Sequence, residues 1–378
     1  MIRQIWATTT MATVATRRRS FTLTELLVTI AIISILMTIA WGAIGRVREQ
    51  GRVAKTKSTI AKINQIVMAQ YDGYRTRRVP IDTRGLPPTV AAKFRLWAIR
   101  CIMAWEMPDQ WDEISPQGAV PVITMQVDEY SRTIKAPALW YKYVSVLDQL
   151  EAIRVANAIS KLRDQGEQGK ADMYGKLLNG VLLYLNVCIA KPETRELFTS
   201  NEVAYYSFPA LEDNHEITER RLPVFVDGWG NPILFIRVPV GFPDSDLQVP
   251  DPQTHHDPFD PMRVDPNAFA TYPLVFSAGP NGAYGLSFGV GPESQDKKRD
   301  NRYIKYATPI AWRAQFDPPQ LNRQPHEQEY DWFTLGNSPD TNCAGHPYNK
   351  PPSDVQEISH FPNAHLDNIH NHRAETMP

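Results

Sequence analysis

Residues 17–45 read RRRSFTLTELLVTIAIISILMTIAWGAIG, an arginine run followed by a long apolar stretch in which Glu25 is the one charged residue. A helix over residues 21–45 would be roughly 37 Å long, enough to cross a bilayer core of about 30 Å with some tilt. Its Leu, Ile, Val and Phe side chains favour insertion by about 4 to 7 kcal/mol, whereas one glutamate opposes it by at most about 3 kcal/mol. The stretch therefore predicts a membrane-spanning helix. It is too long for a secretory signal core, and no A-x-A cleavage site follows it.

The basic run, the Phe-Thr-Leu sequence and the glutamate together resemble the class III signal of type IV pilins and type II secretion pseudopilins. The resemblance implies that a prepilin peptidase cuts between Ser20 and Phe21 and that Phe21 is then N-methylated. It also implies that Glu25, the fifth mature residue, pairs with the N-terminal amine of a neighbouring subunit and sets the stagger of a filament. Ser20 departs from the family pattern, which has Gly before the cut, and Gly42 stands where a helix-kinking Pro is frequent.

The resemblance places the chain in the bacterial inner membrane as a single-pass protein, with a cytoplasmic N-terminus and a periplasmic soluble domain. Arg17, Arg18 and Arg19 abut the apolar run on the expected cytoplasmic side. The count of Lys and Arg is nevertheless higher after the run than before it, which opposes the positive-inside rule. For Glu25 the alternative is a carboxylate that reaches the headgroups without a partner.

After the apolar run the sequence predicts a continuing amphipathic helix. A one-sided stripe at helical spacing extends the helix until Asp72-Gly73 and Pro80 end it, giving one long helix over residues 21–78 after a leader at 1–20. Residues 79–221 form a mostly helical insertion, with helices predicted at 90–109, 138–164 and 175–190. The stripe consists of Val53, Ile60, Ile63, Val67, Tyr71 and Tyr74.

Residues 222–312 predict a small antiparallel sheet made of two hairpins. One hairpin turns at 227–231 and the other at 279–282, because Asp-Gly and Gly-Pro-Asn-Gly are strong turn signals between β-rich runs. The fold class is therefore α+β, with the long helix packed on this sheet. The two turns resemble the C-terminal half of the major pseudopilin of type II secretion. The matching residues are Asp227, Trp229, Gly230, Asn231, Pro232, Ser277, Gly279, Asn281 and Gly282.

A calcium site after the second turn is implied by the same resemblance. Calcium prefers carboxylate and carbonyl oxygens, and the candidate ligands are Asn281, Asp296 and Asp300. Asn281 occupies a position where the family usually has Asp. The alternative is a plain Gly-Pro-Asn-Gly turn without a metal. No other cofactor is predicted.

The remaining features carry no specific chemistry. Residues 313–378 are rich in Pro and His and predict a disordered or surface-draped tail, and its Cys343-Ala-Gly-His346 spacing fits no standard zinc pattern. Cys101 and Cys188 are either a disulfide or two buried thiols.

The sequence does not predict an enzyme. Residues 285–289 match G-x-S-x-G, but residues 289–296 read GVGPESQD, which cannot begin the helix that a nucleophile elbow needs. A net charge of −1 gives no general attraction to nucleic acid.

The prediction is a structural, pilin-like subunit whose partners are a prepilin peptidase, other pilin-like subunits and the membrane. The alternative is a membrane-anchored envelope protein that binds a partner and never polymerises. Secretion, pilus formation, DNA uptake and adhesion are not distinguished.

Overall fold

The structure is a computed structural model that describes residues 22–109, 111–114, 122–239, 245–247, 253–265, 268–282, 284 and 369–373. Its class is α+β, with small antiparallel sheets and several helices, as predicted. By its internal contacts the chain divides into two units, Met1–Gly51 and Arg52–Pro378.

The first helix, α1 (Leu23–Gly73), confirms the long N-terminal helix and stops five residues before the predicted end. Within the second unit, its predicted stripe faces the core. Ile63 is fully buried, Tyr71 and Tyr74 are almost so, and Val53 at the start of the stripe is half-buried. The spacing of apolar residues thus identified the face of α1 on which the domain packs.

Among its described residues, the region predicted as a helical insertion contains four α-helices. The helix predicted over residues 138–164 is two helices, because Glu151 adopts a left-handed conformation with φ of 53° and ends the regular hydrogen-bonding pattern. A π-helical turn at Leu185–Ile189 and a 3₁₀ turn at Pro192–Leu197 follow the last helix. The four helices are α2 (Pro88–Glu106), α3 (Ala138–Gln149), α4 (Ala152–Asp164) and α5 (Gln168–Tyr184).

Two β-hairpins also lie in or extend from this region, and the sequence analysis did not predict them. Strands β1 (Val122–Val127) and β2 (Tyr130–Lys135) pair with each other, and β3 (Val203–Leu211) pairs with β4 (Ile217–Phe225). The description of 79–221 as mostly helical is therefore incomplete. The aromatic residues of β3, Tyr205, Tyr206 and Phe208, were the available signal, since such residues are enriched in strands. In β4 the inward residues Thr218 and Arg220 are polar, so apolar alternation did not mark the strand.

The third sheet departs from the two predicted hairpins. Its strands are β5 (Leu234–Ile236), β6 (Leu274–Ser277) and β7 (Ile369–His370), in the order β5-β6-β7 and antiparallel throughout. The predicted turn at 227–231 exists, but β4 pairs along its length with β3. The pairing across the turn is short: a bridge between Val226 and Pro232, and hydrogen bonds from the Asp227 amide to the Asn231 carbonyl and from the Ile233 amide to the Phe225 carbonyl. The return strand predicted after the second turn lies outside the described residues.

Strand β7 also corrects the prediction of a disordered or surface tail for residues 369–373. Ile369 and His370 belong to a sheet, Asn371–Arg373 form a 3₁₀ turn, and the segment is buried up to His372. The rest of the predicted tail lies outside the described residues.

Cys101 and Cys188 are two buried free thiols, which resolves the alternative left by the sequence. Burial raises the pKa of both thiols, that of Cys188 to about 12, so neither is a reactive thiolate at neutral pH.

Candidate functional site

The N-terminal part of α1 exposes apolar side chains on every side. Leu26, Leu27 and Val28 are consecutive, and each is more than half exposed. Neighbouring side chains of a helix point about 100° apart around the helix axis. Exposed apolar residues in succession therefore cover all faces of the helix. A helix that is apolar all round normally lies in lipid or among other helices. Other exposed members are Leu23, Ile30, Ile32, Ile33, Ile35, Leu36 and Met37.

Within the described ranges, no helix satisfies both the length and the hydropathy that a bilayer crossing requires.

Thr22 and Glu25 cap the start of α1 reciprocally. The amide of Thr22 donates to Glu25 Oε2 over 3.0 Å, and the amide of Glu25 donates to Thr22 Oγ1 over 3.2 Å. The Thr22 hydroxyl also donates to Glu25 Oε2 at 2.9 Å. This arrangement is a capping box, which satisfies two backbone donors that a helix start leaves open.

The resemblance implied that Glu25 contacts a neighbouring subunit, and the cap was not predicted. The spacing Thr-x-x-Glu before an apolar run was the signal for it. The glutamate side chain is held near the helix start by its own chain before any partner arrives. Ser20 and Phe21, the predicted cleavage and methylation residues, lie outside the described residues.

A second arrangement gathers the residues of the pseudopilin-like motif. We call residues 227–231 and 277–282 the turn clasp. Asp227 is fully buried at its centre. One carboxylate oxygen, Oδ1, accepts the amides of Trp229 and Asn231 at 2.8 and 2.9 Å. The other, Oδ2, accepts the Ser277 hydroxyl at 2.7 Å and the Asn231 side-chain amide at 3.3 Å.

The second turn is fastened to the first by further bonds. Asn231 Nδ2 donates to the Gly279 carbonyl over 3.2 Å, and the Gly279 amide donates to Ser277 Oγ over 3.0 Å. Gly230, Gly279 and Gly282 have φ values of 93°, 67° and 71°, a region that residues with a Cβ rarely adopt. The motif therefore has a structural explanation: one buried carboxylate organises two turns.

The turn clasp rests on the part of α1 that belongs to the second unit. The Gly228 amide donates to Thr56 Oγ1 over 2.8 Å, and a Cβ on Gly228 would lie 2.3 Å from the Arg52 carbonyl oxygen. Lys55 Nζ donates to the carbonyls of Asn201 and Asp227 at 2.7 and 3.4 Å. From the sequence, Gly228 was only part of the Asp-Gly turn signal and Thr56 had no assigned role, because only the docked structure brings the two together. Trp229 is half-buried against the core.

The predicted calcium ligands are not brought together in the part of the chain that is described. Asn281 lies in the second turn, whereas Asp296 and Asp300 fall outside the described residues. Among the described residues, no group of three or more His, Cys, Asp or Glu side chains is placed to hold a metal ion. The calcium site stays a prediction.

Comparison with known protein families gives one match. Residues 15–41 match the prokaryotic N-terminal methylation motif, the class III signal that is typical of type IV pilins and pseudopilins. No curated protein and no solved structure matches the chain. The match confirms the resemblance drawn from residues 17–36 and supports a type IV pilin-like protein that a prepilin peptidase processes. It ends well before the turn clasp, so the resemblance of residues 222–302 to the major pseudopilin is not shown.

Proposed function

We propose that this chain is a pilin-like structural subunit of a bacterial type II secretion or type IV pilus-like assembly. The observation that carries the proposal is the N-terminal methylation motif at residues 15–41. A prepilin peptidase removes residues 1–20 by cutting between Ser20 and Phe21, and the new amino terminus at Phe21 is methylated. The protein has a structural rather than an enzymatic role, as is general for carriers of this motif.

The apolar half of α1 anchors the protein in the inner membrane before assembly. The exposed apolar side chains supply the support for this step, since water is an unfavourable solvent for such a surface. In the proposed topology the N-terminus is cytoplasmic, α1 crosses once, and the domain beginning at Arg52 is periplasmic. Arg17, Arg18 and Arg19 then lie on the cytoplasmic side.

In the assembly, the same helix exchanges lipid contacts for contacts with neighbouring α1 helices. The ammonium freed at Phe21 needs a counter-charge in this apolar setting, and Glu25 is the one acidic residue within the apolar run. The capping bonds use Glu25 Oε2, and a carboxylate accepts more than one donor at each oxygen. A neighbour's ammonium can therefore be bound without dismantling the cap.

The proposal is tested by coexpressing the full chain with a prepilin peptidase and measuring the intact mass of the membrane-bound form. We expect a chain that lacks its first twenty residues and begins with a methylated Phe21. The Ser20→Gly variant should be cut at least as fast, since Gly is the family residue. Cells without the peptidase provide the control. A chain that still begins at Met1 when the peptidase is active contradicts the proposal.

Electron microscopy of sheared or overexpressed material separates the main proposal from its alternative. Fibres containing the processed chain support a structural subunit. A correctly processed chain that stays dispersed in the membrane supports the non-polymerising, partner-binding protein instead.

A further inference from the structure

The C-terminal segment Ile369–Arg373, which we call the C-terminal strap, completes the third sheet from far along the chain. Its first two residues form β7, with Ile369 opposite Ser277 and His370 opposite Phe276. Ile369 is nearly buried, and only Arg373 is exposed. The strap therefore covers an edge of β6, but the ladder that holds it is only two residue pairs long.

Asn371 fixes the position of the strap. Its Oδ1 accepts the Val275 amide at 2.9 Å, and its Nδ2 donates to the Pro273 carbonyl at 2.8 Å and to Asn64 Oδ1 at 2.7 Å. One side chain thus connects the strap to β6, to the residue before it and to α1. These bonds define one docked position, since each requires the amide in a particular place.

Histidines flank this anchor on both sides. His370 and His372 are 6% and 2% exposed, with ring centroids 6.5 Å apart. His372 Nε2 lies 3.1 Å from the Pro273 carbonyl oxygen, and Nδ1 lies 2.7 Å from Ser245 Oγ. A neutral ring that carries its hydrogen on Nε2 satisfies both contacts, because it donates to the carbonyl and accepts from the hydroxyl.

The groups around the two rings disfavour protonation of His370 more than protonation of His372. Arg373 and His372 both lower the pKa of His370, whereas Asp246, in the loop at 245–247, and the carbonyl of Pro273 favour protonation of His372. Burial is the largest influence on both rings, and it lowers the pKa of His370 to about 3 and that of His372 to about 4. Two imidazolium ions at this separation would also repel each other.

We propose that the C-terminal strap is released by acid: protonation of His370 and His372 undocks it from β6 while the rest of the second unit stays folded. Release uncovers the edge of β6, whose backbone N–H and C=O groups are of the kind that accept an added strand. Selective release is expected, because the strap is only five residues long. Two ladder pairs, the buried Ile369 and the side-chain contacts of Asn371 and His372 hold it, whereas many residues of the shared core hold the helices and β3–β4.

The direction of the pH effect follows from the lowered pKa values. An undocked histidine titrates near its usual pKa of about 6.5, so the undocked form takes up protons that the docked form rejects. The docked strap is therefore most stable above about pH 6.5, and its docking weakens as the pH falls below this value. For both rings together, the ratio of undocked to docked strap rises roughly 10-fold at pH 6 and roughly 500-fold at pH 5 relative to pH 7.

Hydrogen exchange of the full chain in detergent tests the proposal, with rates corrected for the intrinsic effect of pH. Peptides covering 274–277 and 369–373 should lose protection between pH 7 and about pH 5 by up to roughly 500-fold. Peptides covering β4 residues 222–225 should keep theirs. Constant protection of the strap, or a parallel loss in β4, overturns the proposal.

Two variants separate proton uptake from simple weakening. His370→Gln with His372→Gln keeps polar, neutral side chains and should remove the pH dependence of strap protection. Asn371→Ala should lower protection at every pH but keep the wild-type dependence on pH. A double glutamine variant with the wild-type pH profile overturns the proposal. If the strap of that variant does not dock at any pH, the pH dependence of strap protection in the wild type and in Asn371→Ala provides the test. Protection that does not change with pH in either protein overturns the proposal.

Discussion

The Ser277 hydroxyl donates a hydrogen bond to the Asp227 carboxylate over 2.7 Å, although fifty positions separate the two residues. Both are fully buried. This bond joins the two turns of the turn clasp, and the same carboxylate organises the first turn through backbone amides. The clasp in turn lies against α1 through Gly228 and Thr56.

Ser277→Ala should destabilise the protein by about 1 to 3 kcal/mol, because it leaves a buried carboxylate without one of its donors. The measurement is the free energy of unfolding of the purified full chain by denaturant titration. Ser207→Ala is the matched control, since the exposed Ser207 hydroxyl also donates to a carboxylate, that of Glu219, over 2.7 Å. The control should change stability by no more than about 0.5 kcal/mol. Equal effects of the two changes would mean that the clasp bond adds nothing beyond a surface contact.

Gly228→Ala should destabilise the protein by about 1 to 3 kcal/mol through overpacking. The added Cβ would lie 2.3 Å from the Arg52 carbonyl oxygen and 2.6 Å from the Arg52 Cα, so backbone must move. Gly51→Ala is the control, because it lies within α1 with nothing within 4 Å of its added Cβ. That change should stabilise the helix by roughly 0.5 to 1 kcal/mol. Melting temperatures that shift in the same direction for both variants would contradict the close approach.

Asp265→Asn should change how the stability of the protein depends on pH, because the buried Asp265 carboxyl has a raised pKa. Asp265 shares the buried guanidinium of Arg100 with Asp257, at 3.1 and 2.9 Å. Burial raises the pKa of Asp265 to about 6 against the opposing effect of Arg100. Because the folded pKa lies above the unfolded one, this carboxyl stabilises the fold below the unfolded pKa, and that contribution is lost as pH rises through the folded pKa.

The expected result is that the free energy of unfolding of the wild type, relative to Asp265→Asn, falls by roughly 2 kcal/mol from about pH 4 to about pH 7. Denaturant titrations of both proteins at each pH supply the comparison. A difference that stays level, or that grows with pH, would show that Asp265 is ionised as readily in the folded chain as in the unfolded one.

Substitutions of Glu25 distinguish its capping role from a role in assembly. Glu25→Gln preserves the capping box, which accepts Gln at this position, but removes the charge. Glu25→Ala removes both. If a carboxylate pairs with the Phe21 ammonium of a neighbour, both variants should fail to crosslink through cysteine pairs introduced into α1, because an uncompensated charge in an apolar setting costs several kcal/mol.

Membrane insertion and cleavage should survive both Glu25 substitutions, since removing a charge favours insertion and the cut falls at Ser20 and Phe21. Cell fractionation and intact mass check this. Wild-type crosslinking by Glu25→Gln, with none by Glu25→Ala, would assign Glu25 to capping alone. Equal crosslinking by the wild type and both variants would show that Glu25 has no role in assembly.

Local patterns predicted the helices better than the sheets. The stripe ending at Tyr74 identified the buried face of α1, and turn-forming residues located both turns of the clasp. The first predicted hairpin is shorter than expected, with β4 paired mainly with β3, because Asp-Gly indicates a turn but does not say how far the flanking strands continue together. The break at Glu151 was missed because a non-glycine residue with positive φ carries no sequence signal.

By itself, the sequence determined the class III signal, the apolar character of the first half of α1 and the α+β class. These properties depend on residue type and short-range spacing, which a linear chain displays directly. Only the tertiary structure decided that Asp227 meets Ser277, that Gly228 lies on α1, and that Asn371 reaches Val275 from ninety-six positions away. Such pairings join segments far apart in the chain. Which of them form depends on how the whole chain buries its apolar surface while pairing its buried polar groups.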